Sequence, residues 1–346
     1  MALPLSILDL SPIGSGSTST EALQNTLDLA RLADRIGYTR YWLAEHHNMP
    51  GIASSAPEIV IGHVASETTR LRIGSGGIML PNHSPLKVAE SFHVLEALHP
   101  GRIDLGIGRA PGTDQVTALA LRRSRNALGA DDFPAQLAEL LAFSSGGFPA
   151  GHPFQSVTAV PNDVDLPPIW LLGSSDYSSQ AAATLGMGFA FAHHINPDAA
   201  VPAMRYYREN FTPSDQLSQP HAILTVSAIC AETDERAEEL ATSIELTMLR
   251  LRSGRPGLLP TPAEAMAYPY TAAERAQIQS YRSHYLIGTP SKLHAQLSEL
   301  AERTTADEVM ITTMVHEHAA RLRSYELLAE AFGLPQPAPV SNATAK

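Results

Sequence analysis

Glu45-His46-His47 follows an apolar run at residues 39–44 and is the cluster best suited to chemistry in this sequence. An imidazole ionises near neutral pH, so His46 can take or give a proton, and Glu45 beside it can set which ring nitrogen carries the hydrogen. A hydrogen-bonded framework histidine would look the same. His193-His194 repeats the doublet after residues 189–192 and carries the same two readings. Arg109 ends residues 103–108 and offers the forked charge that suits a phosphate. Gly173-Ser174-Ser175, followed by Tyr177-Ser178-Ser179, opens a run of small residues. Free N–H groups at a helix start, together with hydroxyl donors, make an anion site. Plain N-capping would use the same residues. Gly74, Gly76 and Gly77 lie in one apolar run, where either a flat ring against the backbone or tight packing would call for glycine, and packing is the simpler account. Gly106-Ile-Gly108-Arg-Ala-Pro-Gly112 resembles a dinucleotide loop only superficially, because its third glycine is one residue late.

These residues can act together only if the ends of several strands meet. The hydrophobic pattern predicts that they do. Strands are expected at residues 6–10, 39–44, 71–80, 103–108, 169–172, 189–192, 223–231 and 309–314. Helices are expected at 21–36, 57–68, 85–98, 133–143, 178–185, 200–210 and 318–332. Thr18 and Glu21 fit a capping box with Gly37 as the stop, Ser84 fits an N-cap before Pro85, and Asp131 or Asp132 fits the cap before residue 133. Eight strands that mostly feed helices predict an α/β fold, a single (β/α)8 TIM barrel over residues 1–333. Two insertions interrupt it, at 110–130 after strand four and at 253–285 after strand seven, the second being the candidate lid. Residues 334–346 read as a disordered tail.

A barrel active site sits where strands end. Asp9, Glu45-His46-His47, Asn82-His83, Arg109, Gly173-Ser174-Ser175 and His193-His194 all fall there, an imidazole-rich mouth suited to an anionic, aromatic ligand. The net charge of −11 and the lack of a basic block argue against nucleic-acid or anionic-membrane surfaces. Cys230 is the single cysteine, and no apolar run approaches the roughly 20 residues of a membrane span, so a cytoplasmic setting is expected.

Assembled, the segments resemble the bacterial-luciferase-like flavin monooxygenases, nearest a subgroup of luciferase-like oxidoreductases. The resemblance runs through Tyr41-Trp-Leu-Ala-Glu-His-His47, Gly74-Ser-Gly-Gly-Ile-Met-Leu-Pro-Asn-His-Ser-Pro85, Pro100-Gly-Arg-Ile-Asp-Leu-Gly-Ile-Gly-Arg109, Leu172-Gly-Ser-Ser175 and Ile287-Gly-Thr-Pro290. It implies His46 as the catalytic histidine with Glu45 and His47 beside it. It implies a cis peptide at Gly76-Gly77 under a flavin ring. Arg109, Gly173, Ser174, Tyr177 and Ser178 would hold the FMN phosphate, and no metal is implied. Gly108 replaces the reactive cysteine of luciferase and Gly112 an aromatic residue, which puts aldehyde oxidation and light emission in doubt.

The implied activity is that of a two-component monooxygenase. A separate flavin reductase would supply reduced FMN, O2 would be the oxidant, and a small organic substrate would be oxygenated; a homodimer is expected by analogy. Three alternatives use the same residues: hydride transfer with the deazaflavin F420, a metal-dependent barrel hydrolase, and a non-catalytic flavin-binding protein. The hydrolase reading is weak, because adjacent histidines on an extended chain point to opposite sides and strand one offers only Asp9.

Overall fold

The computed structural model describes residues 3–110, 112–124 and 132–335. Its strands are β1 (Leu5–Asp9), β2 (Arg40–Leu43), β3 (Arg72–Ser75), β4 (Ile78–Met79), β5 (Ile103–Gly108), β6 (Ile169–Gly173), β7 (Gly188–Ala192), β8 (Ala222–Cys230), β9 (Tyr285–Gly288) and β10 (Glu308–Thr312). Eight of them run parallel in the order β10-β1-β2-β3-β5-β6-β7-β8, and β8 pairs with β10 to close the barrel. All eight expected strands are present. Their residues are almost wholly buried, as parallel strands covered by helices must be.

The expected third strand is not continuous. It breaks at a cis Gly76-Gly77 peptide into β3 and β4, both of which pair with β5. The Ser75 hydroxyl bridges the gap: it donates to the Gly106 carbonyl at 2.8 Å and accepts from the Gly106 N–H at 3.0 Å. A Cβ on Gly77 would lie 2.7 Å from the Gly106 carbonyl oxygen, and one on Gly76 2.5 Å from the Leu8 side chain. Barrel packing therefore suffices to require both glycines.

The floor of the barrel is an ion cluster at the N-terminal strand ends. Arg40 lies between Asp104 at 2.8 Å and Glu308 at 3.0 Å, and its guanidinium sits 4.7 Å from the Trp170 ring centre. Arg72 and the Trp42 indole also bind Asp104. This cluster fills the interior of the barrel at that end.

The capping box at Thr18 and Glu21 is formed, and Gly37 ends the helix Ser19–Ile36 with φ at 91°. Ser84 holds the N-cap position, but its hydroxyl makes no capping bond. Asp132 stands at the cap before Phe133, also without a side-chain capping bond, while Asp131 lies outside the described residues. The helix expected from Ser178 begins at Asp176, which moves the anion-suited turn toward the strand end.

The segment at 253–285 belongs to a larger excursion. The helix Asp234–Arg252 precedes it, and β9 and the helix Pro290–Thr304 follow it. β8 is long enough to serve both neighbours. Its residues 223–227 pair with β10, and its residues 227–230 pair with β9. Within the insertion, the helices Pro262–Ala267 and Ala272–Ser280 pack on Leu246 and Leu249 through Ala265, Ile278 and Tyr281. The insertion at 110–130 holds the helix Gln115–Arg122, capped by the Asp114 carboxylate; residues 111 and 125–130 lie outside the described set. The expected tail starts with a buried Leu334, and residues from 336 on lie outside the described set. Among the described residues no helix is long and apolar enough to cross a membrane.

Candidate active site

Glu45 is fully buried just beyond β2 and acts as a hub. One carboxylate oxygen accepts from His47 Nε2 and His83 Nε2, each at 2.8 Å, and the other accepts from the Met79 N–H at 2.8 Å. Burial would raise its pKa, but the bonds from His83, Met79 and His47 outweigh it and hold Glu45 below the ordinary carboxylate value. Glu45 thereby ties the end of β2 to β4 and the turn at His83.

His46 takes the opposite side of the chain. Its Nδ1 lies 3.1 Å from the Gly112 carbonyl oxygen. A carbonyl can only accept, so Nδ1 carries the hydrogen and Nε2 keeps its lone pair. The sequence reading gave the tautomer to Glu45; the structure assigns it to a loop after β5. Burial pushes the His46 pKa below the usual 6.5, so the ring is neutral at pH 7.

His46 lines two adjoining cavities, as do His194, Leu10 and Ile195. His194 is built the same way. Its Nδ1 donates to the Thr225 carbonyl at 3.1 Å, and burial lowers its pKa. Two neutral imidazoles thus stand where the cavities join.

The first cavity, about 250 Å³, is bounded by Gly76, Gly77, Arg109, Gly173, Ser174 and Ser178 among others. Arg109 is exposed, its guanidinium rests 4.3 Å from the Tyr177 ring centre, and no carboxylate among the described residues pairs with it. The helix Asp176–Leu185 starts at this wall with no side-chain cap on its first N–H groups. A ready cation and uncapped donors meet at one end of a largely apolar slot. That is a fit for a flat ring carrying a phosphate. The Ser178 hydroxyl is committed to the Leu172 carbonyl at 3.0 Å, so the donors available to an anion come from Ser174, Ser175 and the backbone.

The second cavity, about 260 Å³, lies beneath residues 256–259 of the insertion and is bounded mainly by aliphatic and methionine side chains. Leu259 is tied by backbone bonds to Ile13 and Ser15, which fixes that roof to the loop after β1.

Not every expected residue reaches a cavity. His47 and His83 are bound to Glu45; His83 borders only a small separate hollow. His193 lines neither main cavity. Asp9 is buried in a framework cluster, paired with Arg321 and accepting from Tyr41 and Thr26, so it is not part of the mouth. The residue that sequence reasoning left undistinguished is His194; the doublet was its signal, but only the fold separates it from His193. Among the described residues no group of three or more His, Cys, Asp and Glu side chains is placed to hold a metal ion.

A family model described as luciferase-like monooxygenase matches residues 3–308. A luciferase-like monooxygenase of Escherichia coli K12 is 47% identical over 94% of this chain and 96% of its own length. The N-acetyl-S-alkylcysteine monooxygenase of Bacillus subtilis is 37% identical over 94% of this chain and 97% of its own. The crystal structure of apo-MsnO8 superimposes with a TM-score of 0.88 at 40% identity, covering 97% of this chain and 99% of that one. Two remoter structures share the fold. One is the oxygenating constituent of 3,6-diketocamphane monooxygenase from Pseudomonas putida in complex with FMN (TM-score 0.69, 19% identity, covering 98% of this chain and 100% of that one). The other is an F420-dependent secondary alcohol dehydrogenase (TM-score 0.68, 12% identity, covering 96% of this chain and 99% of that one).

Proposed function

The chain belongs to the luciferase-like monooxygenases, and from that premise we propose that it is the oxygenating component of a two-component system that uses reduced FMN and O2 on a small organic substrate. The observation that carries the reading is the pair of adjoining cavities that share His46 and His194, one fitted for a ring with an anionic tail and the other apolar. Reduced FMN, when bound, supplies the electrons that activate O2; one oxygen atom goes to the substrate and the other to water.

The chain's own residues have five tasks. Arg109, Ser174 and the first turn of the helix Asp176–Leu185 hold the phosphate, with Tyr177 keeping the guanidinium flat. Gly76 and Gly77 form a wall with no side chains against the ring. His46 presents an unprotonated Nε2 at the junction, where it can accept a proton from substrate or oxidant and return it. Glu45, through His47, His83 and Met79, positions the segments on either side. The roof over the second cavity, with residues 253–285 as the proposed lid, excludes water from the reacting end.

The cofactor test is a titration of the purified protein with FMN and with F420, followed by oxygen uptake with reduced FMN. Tight binding of FMN and oxygen consumption coupled to product formation are expected. Binding of F420 alone would replace the oxygenase with hydride transfer. Stoichiometric zinc that is required for activity would move the reading to a hydrolase. A His46→Ala protein with unchanged activity would leave a flavin-binding protein without catalysis by this residue. A reductase, a homodimer and a cytoplasmic setting complete the proposal. Ile59, Val94 and Leu98, exposed on adjacent helices, are the surface assigned to self-association, and a monomer by light scattering would remove that part.

A further inference from the structure

The second cavity has one strong polar feature. Arg252 ends the helix Asp234–Arg252 and lines this cavity alone. Its guanidinium lies 4.3 Å from the ring centre of Tyr281, itself buried, which holds the charge in place. No carboxylate among the described residues forms an ion pair with it, and no Asp or Glu lines the cavity. Arg252 is exposed, so solvent hydrates it when the cavity holds no ligand, and a ligand's carboxylate would take the place of that water. A cation with no anion on an aliphatic wall favours a ligand that brings one.

Position adds direction. His46, His194, Leu10 and Ile195 belong to both cavities and mark the junction, whereas Arg252, Pro256 and Gly257 belong to the second alone. The cation therefore stands away from the flavin-side opening. Met49, Ile52, Ile244 and Met248 line the same cavity and leave room for an apolar body of small-molecule size.

We propose that the substrate is an amphiphilic monocarboxylate, held by its carboxylate on Arg252 with the apolar end at His46 and His194, so that oxygen enters at the end remote from the acid. The assignment rests on the monooxygenase reading for its chemistry but not for its binding test.

The test uses the full-length protein and three probes of one chain length: decanoate, decanol and decyltrimethylammonium, titrated by calorimetry. The wild type should bind decanoate at least about tenfold more tightly than decanol, the lower end of what a charge-assisted hydrogen bond contributes, and decyltrimethylammonium least. Arg252→Gln should erase the decanoate preference while leaving decanol affinity within about twofold; Arg252→Lys should keep much of it, because the charge remains. Arg255→Gln, which removes a neighbouring charge that does not line the cavity, should bind like wild type. Equal affinity for decanoate and decanol in the wild type would overturn the proposal, as would a preference that survives Arg252→Gln. FMN titration of the same proteins separates the two claims: failure to bind FMN sinks the flavin reading and leaves the carboxylate result to stand or fall by itself.

Discussion

Arg109→Ala isolates the proposed phosphate contact. The native guanidinium has no acidic partner among the described residues, so its removal leaves no carboxylate uncompensated. It is exposed and touches mainly Tyr177, so fold stability should change by no more than about 0.5 kcal/mol. A charge-assisted hydrogen bond contributes about 1.5–3 kcal/mol. At about 1.4 kcal/mol per decade that is roughly 10- to 150-fold in Kd, and the exposed position points to the lower half of the interval. Tyr177 already restrains the side chain, which reduces the ordering cost on binding.

Quenching of flavin fluorescence measures this directly when run on FMN and riboflavin together. FMN and riboflavin differ by the phosphate alone. Wild type should therefore prefer FMN, and Arg109→Ala should weaken FMN by about tenfold or more while riboflavin affinity stays put. Tyr177→Leu should cost FMN less, about 0.5–1 kcal/mol, by releasing the stacked guanidinium. Equal losses for FMN and riboflavin would place Arg109 against the ring or the ribityl chain instead. No loss for either would remove Arg109 from the site.

His46→Asn should lower kcat by about 10²- to 10⁴-fold, the usual range for a proton-transfer group, with FMN affinity unchanged. Because burial lowers the His46 pKa, the neutral ring persists below the ordinary histidine value, so the acid limb of kcat/KM should fall below pH 6.5; a limb above it contradicts the assignment. Glu45→Gln should cost about 1–3 kcal/mol in urea unfolding, since one buried acceptor can no longer serve three donors. In the same variant the titration of His83 by NMR should move down, because Glu45 is what lifts it against the effect of burial; an unmoved His83 would refute the hub. In Asp9 and Glu308, burial alone would raise the pKa, but Arg321 and Arg40 respectively, with further hydrogen bonds, hold both below the ordinary carboxylate value. Depressed carboxylates stabilise the fold above their unfolded pKa of about 4, and that stability is lost as pH falls through the folded values. Buried neutral His46 and His194 add a loss that begins as pH falls below the unfolded histidine value of about 6.5, so the thermal midpoint should decline gently from there and steeply below about 4; a midpoint level down to about pH 5 would refute the burial of neutral imidazoles.

The barrel was legible because burial on both strand faces leaves long apolar runs, and these mark all eight barrel strands. β9 was not legible. It has four residues, two of them only half-buried, and it pairs with the far half of a strand already assigned to the barrel. The break at Gly76-Gly77 was invisible to hydropathy, since an apolar run reads the same across a kink; only the resemblance indicated it. The glycines there were open to two explanations, and the clash of a Gly77 Cβ with the Gly106 carbonyl shows that packing is enough. Asp9 looked functional from its place at a strand end. Its partner Arg321 lies 312 residues later, a distance no local pattern crosses.

The two histidine doublets show how far a motif can specify chemistry. Each doublet divides: His46 and His194 reach the cavities, while His47 is bound to Glu45 and His193, in the turn after β7, lines neither cavity. Which member of each doublet faces inward depends on the barrel. The tautomers come from further away still, since the carbonyls of Gly112 and Thr225 hold the Nδ1 hydrogens. A hydrogen fixed on a carbonyl stays where it is. Only Nε2 remains for exchange, and at neutral pH it begins as an acceptor on both rings. The junction can therefore take a proton before it gives one, which suits a reaction that opens with loss of a proton from substrate or oxidant and closes with its return. A mechanism that had to begin with an imidazolium would be poorly served here, because burial works against the charge on both rings.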